Sequence, residues 1–399
     1  MSMTNAKIVC TTLNKNGFDA FLVGGCVRDM LMGIRPHDFD ITTNATPEQM
    51  KVAFTAEGFK FVTIGEKFGT IAVILDGEQI EATTFRSEHG FTDGRHPDSV
   101  TFETTLEADL SRRDFTINAM AMDICKMKPT DAIANFVIDP FNGKADIQNK
   151  LIRFVGKPDE RIAEDKLRMI RACRFAAKLG FQLEDDTFWA IADNAENISE
   201  VSIERVKDEL FKMMQTEHVE IGITRLQVTG LMKQILPELS KLETVPQPKE
   251  HHEFNVFVHN MKTCVALTKS NPLLRFTGLL HDIGKTEMRE TAPFFPNHAP
   301  NGAVLFESIA TRLKMSNEEI EAMQKKTSGQ SERERIRKEY IDYLNKFQPG
   351  DWVSVELEEG EKKQNVRKRL KTAAKELGYS LNFVRTKEGL KFEVQKAEG

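Results

Sequence analysis

The chain has 399 residues, which at ~150 residues per domain is a soft prior of two to three domains. With 40% hydrophobic and 29% charged residues, it has the composition of an ordinary globular protein with ample core, which excludes collagen-like, mucin-like and wholly disordered readings. A net charge of −5 argues against a histone-like binder while leaving room for a local basic groove. The five cysteines, Cys10, Cys26, Cys125, Cys173 and Cys264, are odd in number and none stands at a metal-knuckle spacing. They read as free thiols in a reducing compartment. No run approaches the ~18 apolar residues needed to cross a bilayer. The opening MSMTNAKIVC lacks a signal peptide's apolar stretch, so the expected location is the cytoplasm, with no membrane partner.

In chain order, residues 1–150 read as mixed α/β. A helix pattern over Lys7 to Leu13 leads into the apolar run Phe21, Leu22, Val23, then two glycines and a second helix beginning near Cys26. Strands are expected over Lys60 to Ile64, Thr70 to Leu75, Gln79 to Phe85 and Val100 to Glu103, several of which alternate apolar and polar residues. From Glu160 the period turns helical, with Ile162, Leu167, Ile170, Phe175 and Leu179 in register, and helical patterns continue to about Met323. The prolines of Val245-Pro246-Gln247-Pro248 suggest a boundary, which divides the helical part into 151–245 and 246–325. Residues 326–399 read as a charged linker and a small α+β module: a strand at Trp352 to Leu357, a basic helix over Glu361 to Leu377, and a hairpin of Ser380 to Thr386 and Leu390 to Val394.

The segment FLVGGCVRDMLMGIRPHDFDITT carries the first chemistry. Gly24 and Gly25 let a phosphate approach backbone at a helix start, and Arg28 in the first turn can grip a triphosphate. Asp38 and Asp40, two apart in an extended segment, point to one face. Together they can hold one or two Mg²⁺ ions, although a lone Asp-x-Asp is usually a surface turn. Glu81 is the candidate third carboxylate; its alternative is a solvent-facing strand position. In SRRDFTINAMAMD, Arg113 can neutralise phosphate charge or pair structurally with Asp114. In AEDKLRMIRACRF, Asp165, Arg168, Arg171 and Arg174 step by three and sweep about half a helix circumference. Asp165 and Arg168 share a face, as a surface ion pair or as a reader of bases with an amine beside a ring acceptor, which adenine and cytosine offer and guanine and uracil do not.

Together these strings resemble the bacterial-type tRNA nucleotidyltransferases, the CCA-adding enzymes of the class II polymerase β-like superfamily. GGCVRD, Asp38-Phe39-Asp40, TTFRSEHGFTDGRHPDSVTF, RRDFTINAMAMD, IDPFNGKADI and EDKLRMIRACRF come in the family's order over roughly residues 18 to 180. The resemblance implies an α+β fold: a polymerase β-like nucleotidyltransferase head with a mixed sheet, then a mostly helical neck and body. It implies template-independent, Mg²⁺-dependent addition of C, C and A to the 3′ end of tRNA from CTP and ATP, with pyrophosphate released. By the same carry-over, Asp38 and Asp40 bind Mg²⁺, and Gly25, Arg28 and Arg113 bind the nucleotide. Asp165 and Arg168 read the base, with Arg171 and Arg174 beside them. Arg86 to Pro97 matches the loop associated with full CCA capability. Poly(A) polymerases and CC- or A-adding relatives share the head motifs and are the alternative.

His259 with His281-Asp282 resembles the start of an HD-type phosphohydrolase site, which implies a second divalent metal because imidazole and carboxylate both ligate first-row ions. Lys285 is placed to contact phosphate, while His252 and His298 read as structural or RNA-facing. Lys362, Lys363, Arg367, Lys368, Arg369 and Lys371 can present a basic helix face to tRNA phosphates, or be a solvated face.

Overall fold

The structure is a computed structural model describing residues 2–63, 65–89, 99–128, 131–245, 254–287, 298–327, 340–355, 363–384, 386 and 389–396. The chain divides into two units, Met1–Met315 and Ser316–Gly399.

In the first unit the strands are β1 (Ala20–Val23), β2 (Asp40–Thr43), β3 (Lys60–Val62), β4 (Thr70–Leu75) and β5 (Glu78–Thr84), the hairpin β6 (Arg86–His89) and β7 (Ser99–Phe102), then β8 (Ala121–Met122), β9 (Val137–Ile138), and the short parallel pair β10 (Leu151–Ile152) and β11 (Gln182–Leu183). Seven of them form one mixed sheet in the order β3-β4-β5-β2-β1-β8-β9. The expected alternation decides its faces: Ile80 and Ala82 are buried while Glu81 between them is exposed. Helices Met3–Lys15 and Pro47–Ala56 supply Val9, Leu13, Met50 and Phe54 to the same core as Leu22, Ile41, Ile71 and Ile80. The second of these helices starts on a capping box, in which Thr46 accepts from Gln49 N and Gln49 accepts from Thr46 N, with Pro47 at the first helical position.

Two pairings place the site. β1 runs antiparallel to β2 with Val23 opposite Asp40, and β2 runs parallel to β5 with Asp40 beside Glu81. The glycine turn after β1, the first residue of β2 and the exposed face of β5 therefore meet at one end of the sheet.

The rest of this unit is mostly helical. Helix Arg168–Leu179 packs on Ile203–Met214 and Val219–Val228. Gly222 makes that approach possible, because a Cβ there would lie 2.6 Å from Met213 Sδ and 3.0 Å from Ala177 Cβ.

The second unit has a three-stranded antiparallel sheet of β12 (Trp352–Val355), β13 (Tyr379–Val384) and β14 (Leu390–Lys396), in the order β12-β14-β13. One face is covered by helix Lys363–Glu376, whose Val366, Leu370, Ala373 and Ala374 are buried with Val353, Phe392 and Val394. The head with a mixed sheet, the helical body and the small α+β tail are the architecture expected from the sequence.

Candidate active site

A cleft of about 950 Å³ opens at that end of the sheet, lined by Gly24, Gly25, Arg28, Asp38, Asp40, Arg113, Asp165, Arg168 and Arg171 among others. Gly24 stands at φ +80°, a conformation that costs little only for glycine, and a Cβ on it would lie 3.0 Å from Arg113 Nη1. The strand can therefore turn into helix Gly25–Leu31 with the Arg113 guanidinium against its backbone.

Asp38 precedes β2 and Asp40 is its first residue, so the pair is not wholly within a strand; both carboxylates nevertheless face the cleft. Asp40 is exposed, yet its carboxyl sits among the cleft walls. Loss of bulk water and the neighbouring Asp38 and Glu81 charges push its pKa to about 6, against the opposing pull of Arg113. This surplus of negative charge, offered by hard oxygen donors, suits a divalent cation of the Mg²⁺ kind. Among the described residues, three such carboxylate oxygens do not lie within 4.8 Å of one another here; the trio that meets that spacing is His259, His281 and Asp282.

The basic wall is a network of alternating charge. Arg28 is buried, donating to Asp29 Oδ1 through Nε (2.9 Å) and Nη2 (2.6 Å) and to Asn118 Oδ1 through Nη1 (2.5 Å). Asn118 Nδ2 donates to Asp114 Oδ1 (3.2 Å). Asp114 pairs with Arg171 at 2.5 Å and not with Arg113 as the sequence suggested. The reason is direction: Arg113 turns to Asp109 (3.3 Å), a buried carboxylate that also accepts from Arg112 (2.8 Å) and Thr42 Oγ1 (3.0 Å). Burial opposes ionisation of Asp114, but the Arg171 guanidinium prevails and holds its pKa below the usual aspartate value. Among the described residues, Arg113 Nε is buried without a hydrogen-bond partner.

Asp165 and Arg168 do not form a shared-face helical pair. Asp165 ends helix Pro158–Glu164 in extended conformation, and the next helix begins at Arg168. Asp165 is instead gripped by Arg205 at both oxygens, 3.2 and 3.0 Å, while Arg168 binds Glu164 Oε2 (2.6 Å) and the Arg161 and Arg112 carbonyls. Both still line the cleft. Arg174 is not among the lining residues: its Nε donates to the buried Glu209 (2.5 Å) and its guanidinium lies 4.5 Å from the Phe175 ring centre. Arg28 and Arg171 are each 5.6 Å from the same ring.

Arg205, Glu209, Asp109, Asn118 and Phe175 are site residues that sequence reasoning missed. The string SIERVKDEL carried two of them, but no local spacing links it to a strand end more than 160 positions earlier.

In the other cluster, His259 Nε2 and His281 Nε2 are 3.2 Å apart, and Asp282 Oδ2 is 3.8 and 3.6 Å from them. Lys285 is buried and pairs with Asp282 Oδ2 at 2.6 Å, so its amine is directed at the acidic residue and not outward to a phosphate. His252 and residues 90–97 of the expected loop lie outside the described residues, and the side chain of His298 does as well.

Residues 20–153 match the family model described as poly A polymerase head domain. The first part of the chain is therefore similar to that head domain. Residues 180–242 match the model described as probable RNA and SrmB-binding site of polymerase A. The chain is similar to a CCA-adding enzyme of Lactobacillus helveticus (strain DPC 4571), 47% identical over 208 residues covering 52% of this chain and 49% of that protein. It is also similar to one from Lactiplantibacillus plantarum, 41% identical over 240 residues covering 60% and 56%. The match spans about half the length of these curated relatives. Among solved structures, a Bacillus stearothermophilus CCA-adding enzyme in complex with CTP superposes with a TM-score of 0.56 at 28% identity, over 86% of this chain and 76% of that one. Among the described residues no helix is long and apolar enough to cross a membrane.

Proposed function

We propose that the chain is a nucleotidyltransferase that adds CCA to the 3′ end of tRNA from CTP and ATP. The observation that carries this reading is the meeting of Asp38 and Asp40 with Gly24-Gly25 and the Arg28–Arg113 wall in one cleft. The relatives' names and the head-domain match support it.

In this reading Asp38, Asp40 and, beside them, Glu81 hold Mg²⁺. A bound divalent cation lowers the pKa of an attacking hydroxyl and offsets charge on the attacked phosphate. The chain's own residues do the rest. Gly25 leaves the backbone open to phosphate, and Arg113, which lines the cleft, offers guanidinium donors to the triphosphate. Arg28 offers the donors that Asp29 and Asn118 leave over. Asp165 accepts from a base amine and Arg168 donates to a ring acceptor, while Arg171, and Arg174 behind it, fix the wall on which the base rests. Preset donors cost no reorganisation as charge develops. The same proposal places the head at 1–150, the base-reading helical region at 151–245, a further helical region at 246–325, and the acting location in the cytoplasm, where tRNA substrate and the five free thiols both persist.

A nucleotide-omission assay on tRNA trimmed of its end tests the proposal. CTP alone should add two residues, and CTP with ATP should complete CCA. No extension, or a long A tract as a poly(A) polymerase would make, rejects it.

A second reading rests on the His259–His281–Asp282 cluster. His281 Nδ1 lies 2.8 Å from the Gly278 carbonyl, which favours a proton on Nδ1 and leaves Nε2 as a ligand. We propose that this cluster takes a divalent metal and supports phosphohydrolase chemistry. Hydrolysis of a 2′,3′-cyclic nucleotide with a divalent metal, lost in His281→Ala, supports it; no turnover with any of several metals removes it.

A further inference from the structure

The helix Lys363–Glu376 carries six cations, Lys363, Arg367, Lys368, Arg369, Lys371 and Lys375, in a chain whose net charge is −5. They do not form the single face expected from the sequence. Lys363 Nζ turns to Thr386, donating to its carbonyl (2.9 Å) and Oγ1 (3.1 Å). Arg369, two positions from Arg367 and from Lys371, is about 200° round the helix from each, and Lys362 lies outside the described residues. What the fold presents instead is a stripe. Gln364, Arg367, Lys368, Lys371, Thr372 and Lys375 line one groove. Their spacing of i, i+3, i+4, i+7, i+8 and i+11 keeps them on one side of the helix.

Three features make this stripe more than a solvated helix face. Like charges at i and i+4 repel, as Arg367 with Lys371 and Lys371 with Lys375 do, and such pairs weaken a helix unless something compensates. Among the described residues, none of Arg367, Lys368, Lys371 and Lys375 makes a salt bridge. Two of the cations are held rather than loose: the Arg367 guanidinium lies 4.6 Å and the Lys371 amine 5.9 Å from the Phe383 ring centre. Preset cations lose less side-chain entropy on meeting a ligand.

We infer that this stripe of the terminal module docks the phosphate backbone of RNA. Arg367, Lys371 and Lys375 rise by about 6 Å per step along the helix, a regular one-sided repeat. That suits the regular charge of a nucleic acid strand better than the scattered carboxylates of an acidic protein. The match of residues 180–242 to the model described as probable RNA and SrmB-binding site of polymerase A is consistent with the same class of partner. Gln364 and Thr372 add neutral donors to the same groove. Contacts to phosphate position an RNA without reading its sequence, so the expected binding is strong in salt dependence and indifferent to sequence.

The test is fluorescence anisotropy of the full chain with a labelled tRNA transcript lacking its CCA end, without nucleotide, across a range of KCl. Lys368→Ala/Lys371→Ala/Lys375→Ala keeps exposed helix positions filled by the best helix former. The corresponding Lys→Arg variant is the charge-preserving control. The inference expects the alanine variant to bind about tenfold more weakly at 0.15 M salt. It expects the slope of log K against log salt to be shallower by about two, since each neutralised phosphate contributes roughly 0.7–0.9. The arginine variant should match the parent. Unchanged affinity and slope in the alanine variant overturn the inference. So does an unchanged tRNA slope accompanied by lost binding of poly-L-glutamate, which would assign the stripe to an acidic polypeptide. No step of nucleotide addition enters the readout, so this result and the reading of the cleft stand or fall separately.

Discussion

Asp40 is where the cleft's electrostatics can be measured without any substrate. Its pKa is raised from 3.8 to about 6, so the folded protein binds that proton more tightly than the unfolded chain does. The stability this gives is complete below about pH 4 and is lost as pH rises through 6. At neutral pH, with divalent ions chelated, the carboxylate is a net strain. Asp40→Asn should then be more stable than the parent by about 1 kcal/mol after solvent screening, a rise of roughly 2 °C in Tm, and the gap should close near pH 4. Thermal melts in EDTA at the two pH values check this; a variant melting lower at pH 7.5 contradicts it. Asp114 has the opposite sign. Its carboxylate is stabilised by Arg171, so its contribution is present above the ordinary aspartate value and lost as pH falls through a lower one. Asp114→Ala removes the nearest partner of the partly exposed Arg171 guanidinium, leaving Glu209 at 3.8 Å, and should cost about 1–3 kcal/mol by urea unfolding.

At the scale of elements, strands announced themselves. The alternation of Ile80, Glu81 and Ala82 follows from a period of two with one buried face, whereas the run Phe21-Leu22-Val23 is apolar throughout because Leu22 and Val23 are buried on opposite faces of a central strand. The glycine turn was legible too, because only a glycine holds φ +80° against Arg113 without strain. The ion pairs were not. Asp165 finds Arg205 forty positions away and Asp114 finds Arg171 fifty-seven away. Nothing in local periodicity ranks those partners above the nearer Arg168 and Arg113. The break of helix at Asp165 was hidden for the same reason: the apolar pattern of Ile162, Leu167 and Ile170 runs through it, and the extended residue shows only in the backbone. Held by Arg205, Asp165 is a fixed acceptor. Asp165→Ala should lower the preference for CTP over UTP by about 10- to 100-fold, which is 1–3 kcal/mol for one lost polar partner. Competition of the two nucleotides for the first added position measures it, and an unaltered ratio would remove Asp165 from base selection.

Considered as a whole molecule, the chain holds two units with separate cores. Leu370 is fully buried in the core of the second. Leu370→Ala should cost that unit about 2–5 kcal/mol and lower its calorimetric transition while leaving the head's transition in place; a single joint shift of both contradicts that independence. The head's architecture was readable because its motifs, pattern and turns agree with one another. The tail's sheet was readable from its alternation, whereas its basic stripe was not, since Lys363 and Arg369 look equivalent to Lys371 until the helix fixes their directions. The claim on which everything else depends is that Asp38 and Asp40 share a cation before the glycine turn, and the rate of the first C added to tRNA lacking its end tests it most directly. Asp40→Asn should slow that step by about 10³-fold, some 4 kcal/mol, with tRNA affinity unchanged. A rate within a few-fold of the parent would contradict the account.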